Sequence, residues 1–235
     1  MGDCMTKSFQ VHKVKLAVRI ALLVVAFALW LRDPALLDAT DSTAQWWFLA
    51  PVWAVLAGGM LLRLIPNRTT PIGARKQSAS SYRQGQAAGK QEGLHRGAAA
   101  TAIIWVGFHV GFFPILRLLG LLTPGALLVL TLIYAVCDIV CILFFCPFQR
   151  FLMHNRCCTV CRIYNWDYLM MCTPLILYPS AYALSLFFLA AALVVVWEWA
   201  LFRHPEYFSD KTNAALRCDC CEDKCCHLRG KGSAR

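Results

Sequence analysis

The chain is 235 residues long and 59% hydrophobic, with only 15% charged residues and a mean hydropathy of +0.54. Soluble domains carry about 45–50% apolar and about 25% charged residues, so this apolar excess has no single compact core to hide in and points to a membrane. The net charge of +10 is scattered among apolar stretches rather than gathered on one basic face, which argues against nucleic acid and leaves the lipid bilayer as the expected partner, with other membrane subunits as further candidates.

A bilayer core about 30 Å thick takes roughly 20 mostly apolar helical residues to cross. Residues 16–31 form the first such stretch, behind a basic start with Lys7, Lys13 and Lys15, and their one charge, Arg19, is expected to snorkel to the headgroups. A basic start before an apolar run also fits a secretory signal peptide. The run is long, however, and no small-x-small cleavage site follows it, so it reads as a retained helix. An acidic loop with Asp33, Asp38 and Asp41 leads to the second span, 46–65, opened by the interfacial pair Trp46 and Trp47 and closed by Arg63 ahead of Pro66.

Over 66–97 Ser, Gln, Gly, Ala and basic residues replace any apolar period, which reads as a flexible loop. The third helix is expected over 98–118, kinked at Pro114, and the Thr123-Pro124-Gly125 turn leads into the fourth, 126–145, stopped by Pro147. A cysteine-bearing loop, 147–162, follows. Residues 163–202 are then apolar apart from Asn165, Asp167 and Glu198, with Pro174 and Pro179 interrupting the middle.

That last stretch is about twice one crossing. It is expected to hold a short segment, 167–178, broken or re-entrant and covered by its neighbours, and a full helix, 181–202. The fold class is therefore all-α, a polytopic membrane protein with about six membrane segments, one of them short; five crossings is the alternative. Its parts are a two-helix region 1–65, the basic loop 66–97, a membrane region 98–202 and a Cys-rich tail 203–235.

Lys and Arg are retained on the cytoplasmic side of short loops. The acidic first loop should therefore lie outside, and the N-terminus, the 66–97 loop and the 147–162 loop, with Arg150, Arg156 and Arg162, should lie inside. The tail holds seven Lys and Arg residues and prefers the inside too. It reaches that side only if 163–202 crosses twice.

Of the 13 cysteines, eight fall in two short polar stretches: Cys157, Cys158 and Cys161, then Cys218, Cys220, Cys221, Cys225 and Cys226. Cys158 and Cys161 make one C-x2-C pair and Cys218 and Cys221 a second. Two thiolates at that spacing can grip one metal from a single turn, and two such pairs supply the four-sulfur shell of zinc or of an iron–sulfur cluster. The expected ligands are Cys158, Cys161, Cys218 and Cys221, with Cys225 next and Cys157 as a substitute. The same cysteines also fit S-palmitoylation beside a membrane helix, or disulfides if the tail faces an oxidising compartment.

Inside the membrane, His109 in the third helix and Asp138 in the fourth lie at roughly 14 and 18 Å of rise from the hairpin turn, so they could face each other. Such a pair could relay protons or, with Cys137 and Cys141 beside it, touch a soft metal ion. The plainer reading is a polar pair fixing helix register, with Gly107 and Gly111 permitting close approach. Glu198 reads as an interfacial or ion-paired residue, Tyr164 and Trp166 as belt aromatics and Asp167 as a helix cap. No phosphate-binding loop, dinucleotide glycine fingerprint, G-x-S-x-G elbow or H-E-x-x-H is present. The sequence thus points away from an enzyme and toward a cytoplasmic cysteine-ligated metal centre serving electron transfer or soft-metal handling. A membrane scaffold or assembly subunit with lipidated or structurally zinc-bound cysteines is the alternative.

Overall fold

The computed structural model describes residues 7–41, 43–64, 92–154, 161–208 and 212–213. Among them are five long helices, α1 (Lys7–Arg32), α2 (Trp46–Leu64), α3 (Glu92–Leu118), α4 (Pro124–Leu143) and α6 (Ala181–Arg203), with a short α5 (Asp167–Cys172) before the last. Each long helix offers 19 to 23 residues apolar enough to cross a bilayer, and the chain is an all-α polytopic membrane protein. Ile103, Val110, Leu118 and Phe202 stand outward at 68–87% exposure, as lipid-facing side chains must.

Local chemistry sets the helix ends. Thr123 Oγ1 accepts from the Ala126 amide at 3.2 Å with Pro124 in the first turn of α4, and Ser180 Oγ accepts from the Ala183 amide at 3.2 Å to start α6. α1 begins at Lys7, ahead of the expected start, because Lys and Gln side chains extend a helix into the headgroup region at little cost. α3 begins at Glu92, so 92–97 of the expected loop are helical, while 65–91 lie outside the described residues. α3 continues through Pro114 to Leu118. In the first loop Thr43 donates to Asp41 through both its hydroxyl and its amide, which holds that carboxyl below the usual range.

The stretch before α6 crosses the bundle in pieces. A 3-10 turn, Arg162–Trp166, runs into α5 and then into a second 3-10 turn, Thr173–Leu177, opened by Pro174. α5 alone rises only about 9 Å. The 3-10 turns rise about 2.0 Å per residue, so the whole segment reaches about 29 Å if straight, close to one bilayer core.

Its two ends lie at opposite ends of the bundle. Cys161 and Ile163 pack with Leu143 at the end of α4 and with Trp197 and Leu201 at the end of α6. Leu175 and Tyr178 share a small cleft with Leu37, with Pro124 at the start of α4 and with Ala183 at the start of α6. The expectation of a short sixth segment thus agrees with the fold, as a traversing, broken helix. Its neighbours cover the irregular backbone: Tyr168, Met171, Cys172, Pro174 and Leu175 are all buried.

The main core joins α2, α4, the broken segment and α6 through Leu49, Leu56, Leu132, Met171, Leu186 and Leu193. α1 lies on α4, where Gly125 admits it: a Cβ there would stand 2.9 Å from the Pro34 carbonyl and 3.0 Å from the Trp30 ring. Gly125→Ala is therefore expected to destabilise by about 1–3 kcal/mol through overpacking, read as a lower unfolding midpoint in detergent. Gly107→Ala is the matched control and should be near neutral, because nothing lies within 4 Å of a Cβ at that position. Gly111 is equally open, so the close helix approach expected at these two glycines does not occur.

Candidate functional site

Two arginines enter the bundle from different helices and each meets a carboxylate. Arg63, near the end of α2, donates from Nη1 to Asp167 Oδ1 at 2.7 Å and to Asn165 Oδ1 at 3.0 Å. Its guanidinium lies 4.6 Å from the centre of the Tyr168 ring and 5.0 Å from that of Tyr164. These cation–π contacts and the charge-assisted bonds offset the desolvation of a side chain only 5% exposed. Arg19 of α1 donates from Nη1 to Asp138 Oδ2 of α4 at 2.8 Å and also to the Ala135 carbonyl. Tyr168 stands between the pairs, 6.0 Å from the Arg19 guanidinium carbon.

Four sequence expectations change here. Arg19 does not snorkel: it is 5% exposed, and a carboxylate on the facing helix offers a shorter route to neutralisation than the headgroups. Asp167 opens α5, yet its Oδ1 is held by Arg63 as well as by the Tyr168 amide, so pairing rather than capping is its main role. Tyr164 is 8% exposed beneath Arg63 and is no belt residue.

His109 and Asp138, fourth, do not pair with each other. His109 Nδ1 lies 2.8 Å from the Trp105 carbonyl one turn back, so that nitrogen carries the hydrogen, and Nε2 accepts from the Tyr134 hydroxyl at 3.1 Å. Trp105 and Phe113 pack on its ring at 4.4 and 4.9 Å between centroids. Tyr134 sits one turn before Asp138 on α4, and Asp138 is already taken by Arg19. The histidine ties α3 to α4 through Tyr134, in place of the His109–Asp138 pair that the plainer sequence reading expects.

Glu198 is ion-paired as expected. Arg162 Nη2 donates to its Oε2 at 2.6 Å and Trp166 Nε1 to its Oε1 at 2.8 Å, while Trp197 Nε1 donates to the Arg162 carbonyl at 2.9 Å. These bonds fasten the residue after Cys161 to the last turns of α6. Farther along, Thr212 and Asn213 are buried, and the Thr212 hydroxyl donates to the Glu206 carbonyl.

Of the expected metal ligands, Cys161 alone lies within the described residues, buried beside Trp197 and Leu201; Cys157, Cys158, Cys218, Cys221 and Cys225 lie outside them. Among the described residues no group of three His, Cys, Asp or Glu side chains is placed to hold a metal ion.

Among the described residues a cavity of about 140 Å³ lies between α3, α4 and the broken segment. Six sulfur-bearing residues line it, Cys137, Cys141, Cys146, Cys161, Met170 and Met171, together with aromatic rings and the two carboxylates Asp138 and Asp167. Asp167 Oδ2 is buried and has no hydrogen-bond partner among the described residues. Sequence reasoning found Cys137, Cys141, Asp138 and Cys161 but missed Arg63 and Asn165 as site residues. The available signal was the number of opposite charges inside apolar spans, which seldom remain unpaired. Compared with family models, with curated proteins and with solved structures, the chain matches none.

Proposed function

We propose that the protein is a membrane electron-transfer subunit whose two cysteine clusters jointly ligate an iron–sulfur centre at one face of the bilayer, the cytoplasmic face by the distribution of Lys and Arg. Cys158 and Cys161 would supply one C-x2-C pair and Cys218 and Cys221 the other, with Cys225 and Cys157 in reserve. The observation that carries this reading is the packing of Cys161 against Trp197 and Leu201. Cys161 is thereby rooted at the end of α6 from which the tail leaves, and residues 162–203 return the chain to that end, so ligation shared with the tail pair would need only local reach; Cys158 and Cys218 themselves lie outside the described residues.

Ion pairing favours electrons over the passage of a soft metal ion: the two carboxylates on the cavity wall, Asp138 and Asp167, are already paired with Arg19 and Arg63 at 2.8 and 2.7 Å, which leaves no uncompensated negative charge there for a passing cation. Anaerobically purified protein is expected to carry iron and sulfide in near-stoichiometric amounts, with a visible absorbance that bleaches on reduction. Cys158→Ser and Cys218→Ser should each abolish the colour. Stoichiometric zinc without colour would reject electron transfer in favour of a structural centre, and a folded, metal-free protein would reject the centre altogether.

A further inference from the structure

We infer that Trp197 and Glu198, consecutive residues near the end of α6, are positioning residues for the proposed centre: together they seat Cys161 at the end of the helix from which the Cys-rich tail leaves. Trp197 Nε1 donates to the Arg162 carbonyl at 2.9 Å, and Glu198 Oε2 accepts from Arg162 Nη2 at 2.6 Å and from Nε at 3.2 Å. Trp166, at the far end of the same 3-10 turn, donates from Nε1 to Glu198 Oε1 at 2.8 Å. Consecutive helix residues point about 100° apart, so α6 grips this turn from two directions. Two N–H donors of one guanidinium on one carboxylate fix orientation as well as distance.

Cys161 lies in extended backbone just ahead of the turn, at φ −79° and ψ 125°, and its side chain makes no capping hydrogen bond. A 3-10 turn holds its own backbone poorly, so what holds Arg162 also places Cys161. Groups that bond to the neighbourhood of a ligand in this way orient it for its metal. Trp197 belongs to the small cluster of Cys161, Ile163 and Leu201 and not to the main core of Leu56, Leu132 and Leu186. The grip can therefore be loosened without emptying the main core. Beyond α6 the chain is still buried at Thr212 and Asn213, and Cys218 follows five residues later, a reach of at most about 18 Å. The inference rests on the reading above, in which Cys161 and the tail cysteines share one centre.

The test uses full-length protein in lipid nanodiscs, reduced and without added metal. The parent carries Cys157→Ser and Cys158→Ser, so that Cys161 is the only thiol left in the 147–162 loop. Phenylarsine oxide, which condenses with two thiols and releases water, is the probe, and bridged tryptic peptides are quantified by mass spectrometry. A bridge between Cys161 and a tail cysteine is expected in the parent. Trp197→Phe keeps a ring but loses the indole donor, and Glu198→Gln keeps the size but loses the charge. The two together should lower the bridged yield about tenfold or more, while the unfolding midpoint in detergent stays near that of the parent. Unchanged bridging in this double variant, or a fall that only tracks a lower unfolding midpoint, would overturn the positioning role alone. No bridge in the parent would overturn the shared centre and the positioning role with it, so the two failures are told apart.

Discussion

Arg63→Leu is expected to cost about 3–5 kcal/mol and to remove most of the folded protein, because it leaves the Asp167 carboxylate buried without a cation. Oδ2 of that carboxylate already lacks a partner among the described residues, so losing Arg63 would leave Oδ1 with the Tyr168 amide alone. Asn165, only 1% exposed, loses the donor to its Oδ1, and the rings of Tyr164 and Tyr168 lose the cation above them. The broken segment depends on this anchor more than a regular helix would, since its 3-10 turns hold their own backbone less well. Arg63→Leu combined with Asp167→Leu should recover part of the loss, since replacing both members of a buried pair by apolar groups is far less costly than removing one. The measurement is the unfolding midpoint in detergent together with the yield of monodisperse protein. A single variant as stable as the wild type would show that the pair is not an anchor.

Asp138→Leu is the second large effect. Arg19 lies about 18 Å along α1 from Lys7, at 1.5 Å per residue, and so near the middle of that helix. An arginine at a helix centre costs about 2.5–3.5 kcal/mol on insertion scales when nothing neutralises it. Without Asp138 it keeps only the Ala135 carbonyl among the acceptors described for it. α1 depends on this contact, because only 11% of its apolar window is buried inside the bundle. Loss of folded yield and detachment of α1, seen as faster proteolysis of the loop after it, are the expected readouts. The Arg19→Leu, Asp138→Leu pair should lie much closer to wild type than either single change, and a double-mutant cycle with no coupling would reject the pairing.

The residues that were legible and those that were not differ in kind. Span positions followed from apolar run length, and the start of α4 followed from the Thr123-Pro124-Gly125 turn ahead of an apolar run, whereas the capping hydroxyls of Thr123 and Ser180 were found only in the structure. Pro174 and Pro179 marked the break in the last stretch. All of these are properties of a chain segment by itself. Arg19 was read as snorkelling and Tyr164 as a belt residue because, taken alone, each is an ordinary interfacial side chain. His109 and Asp138 were matched by depth along their helices, but depth does not fix rotation about a helix axis. Asp138 turns toward α1, and His109 meets Tyr134 one turn away.

By itself the sequence determined the solvent: its hydrophobic excess points to a bilayer, and its apolar runs placed five full-length spans while leaving open whether the interrupted stretch before the last one crosses as well. It also determined that cysteines gather in two polar clusters, since spacing is a property of the chain. Only the tertiary structure decided which charges neutralise one another, that an irregular segment crosses the bundle under cover, and that Cys161 packs beside the end of α6. The physical reason is range. Burial and helical length are summed along neighbouring residues, whereas an ion pair between Arg63 and Asp167, or a cavity walled by three segments, exists only where distant parts of the chain meet at a particular rotation and depth.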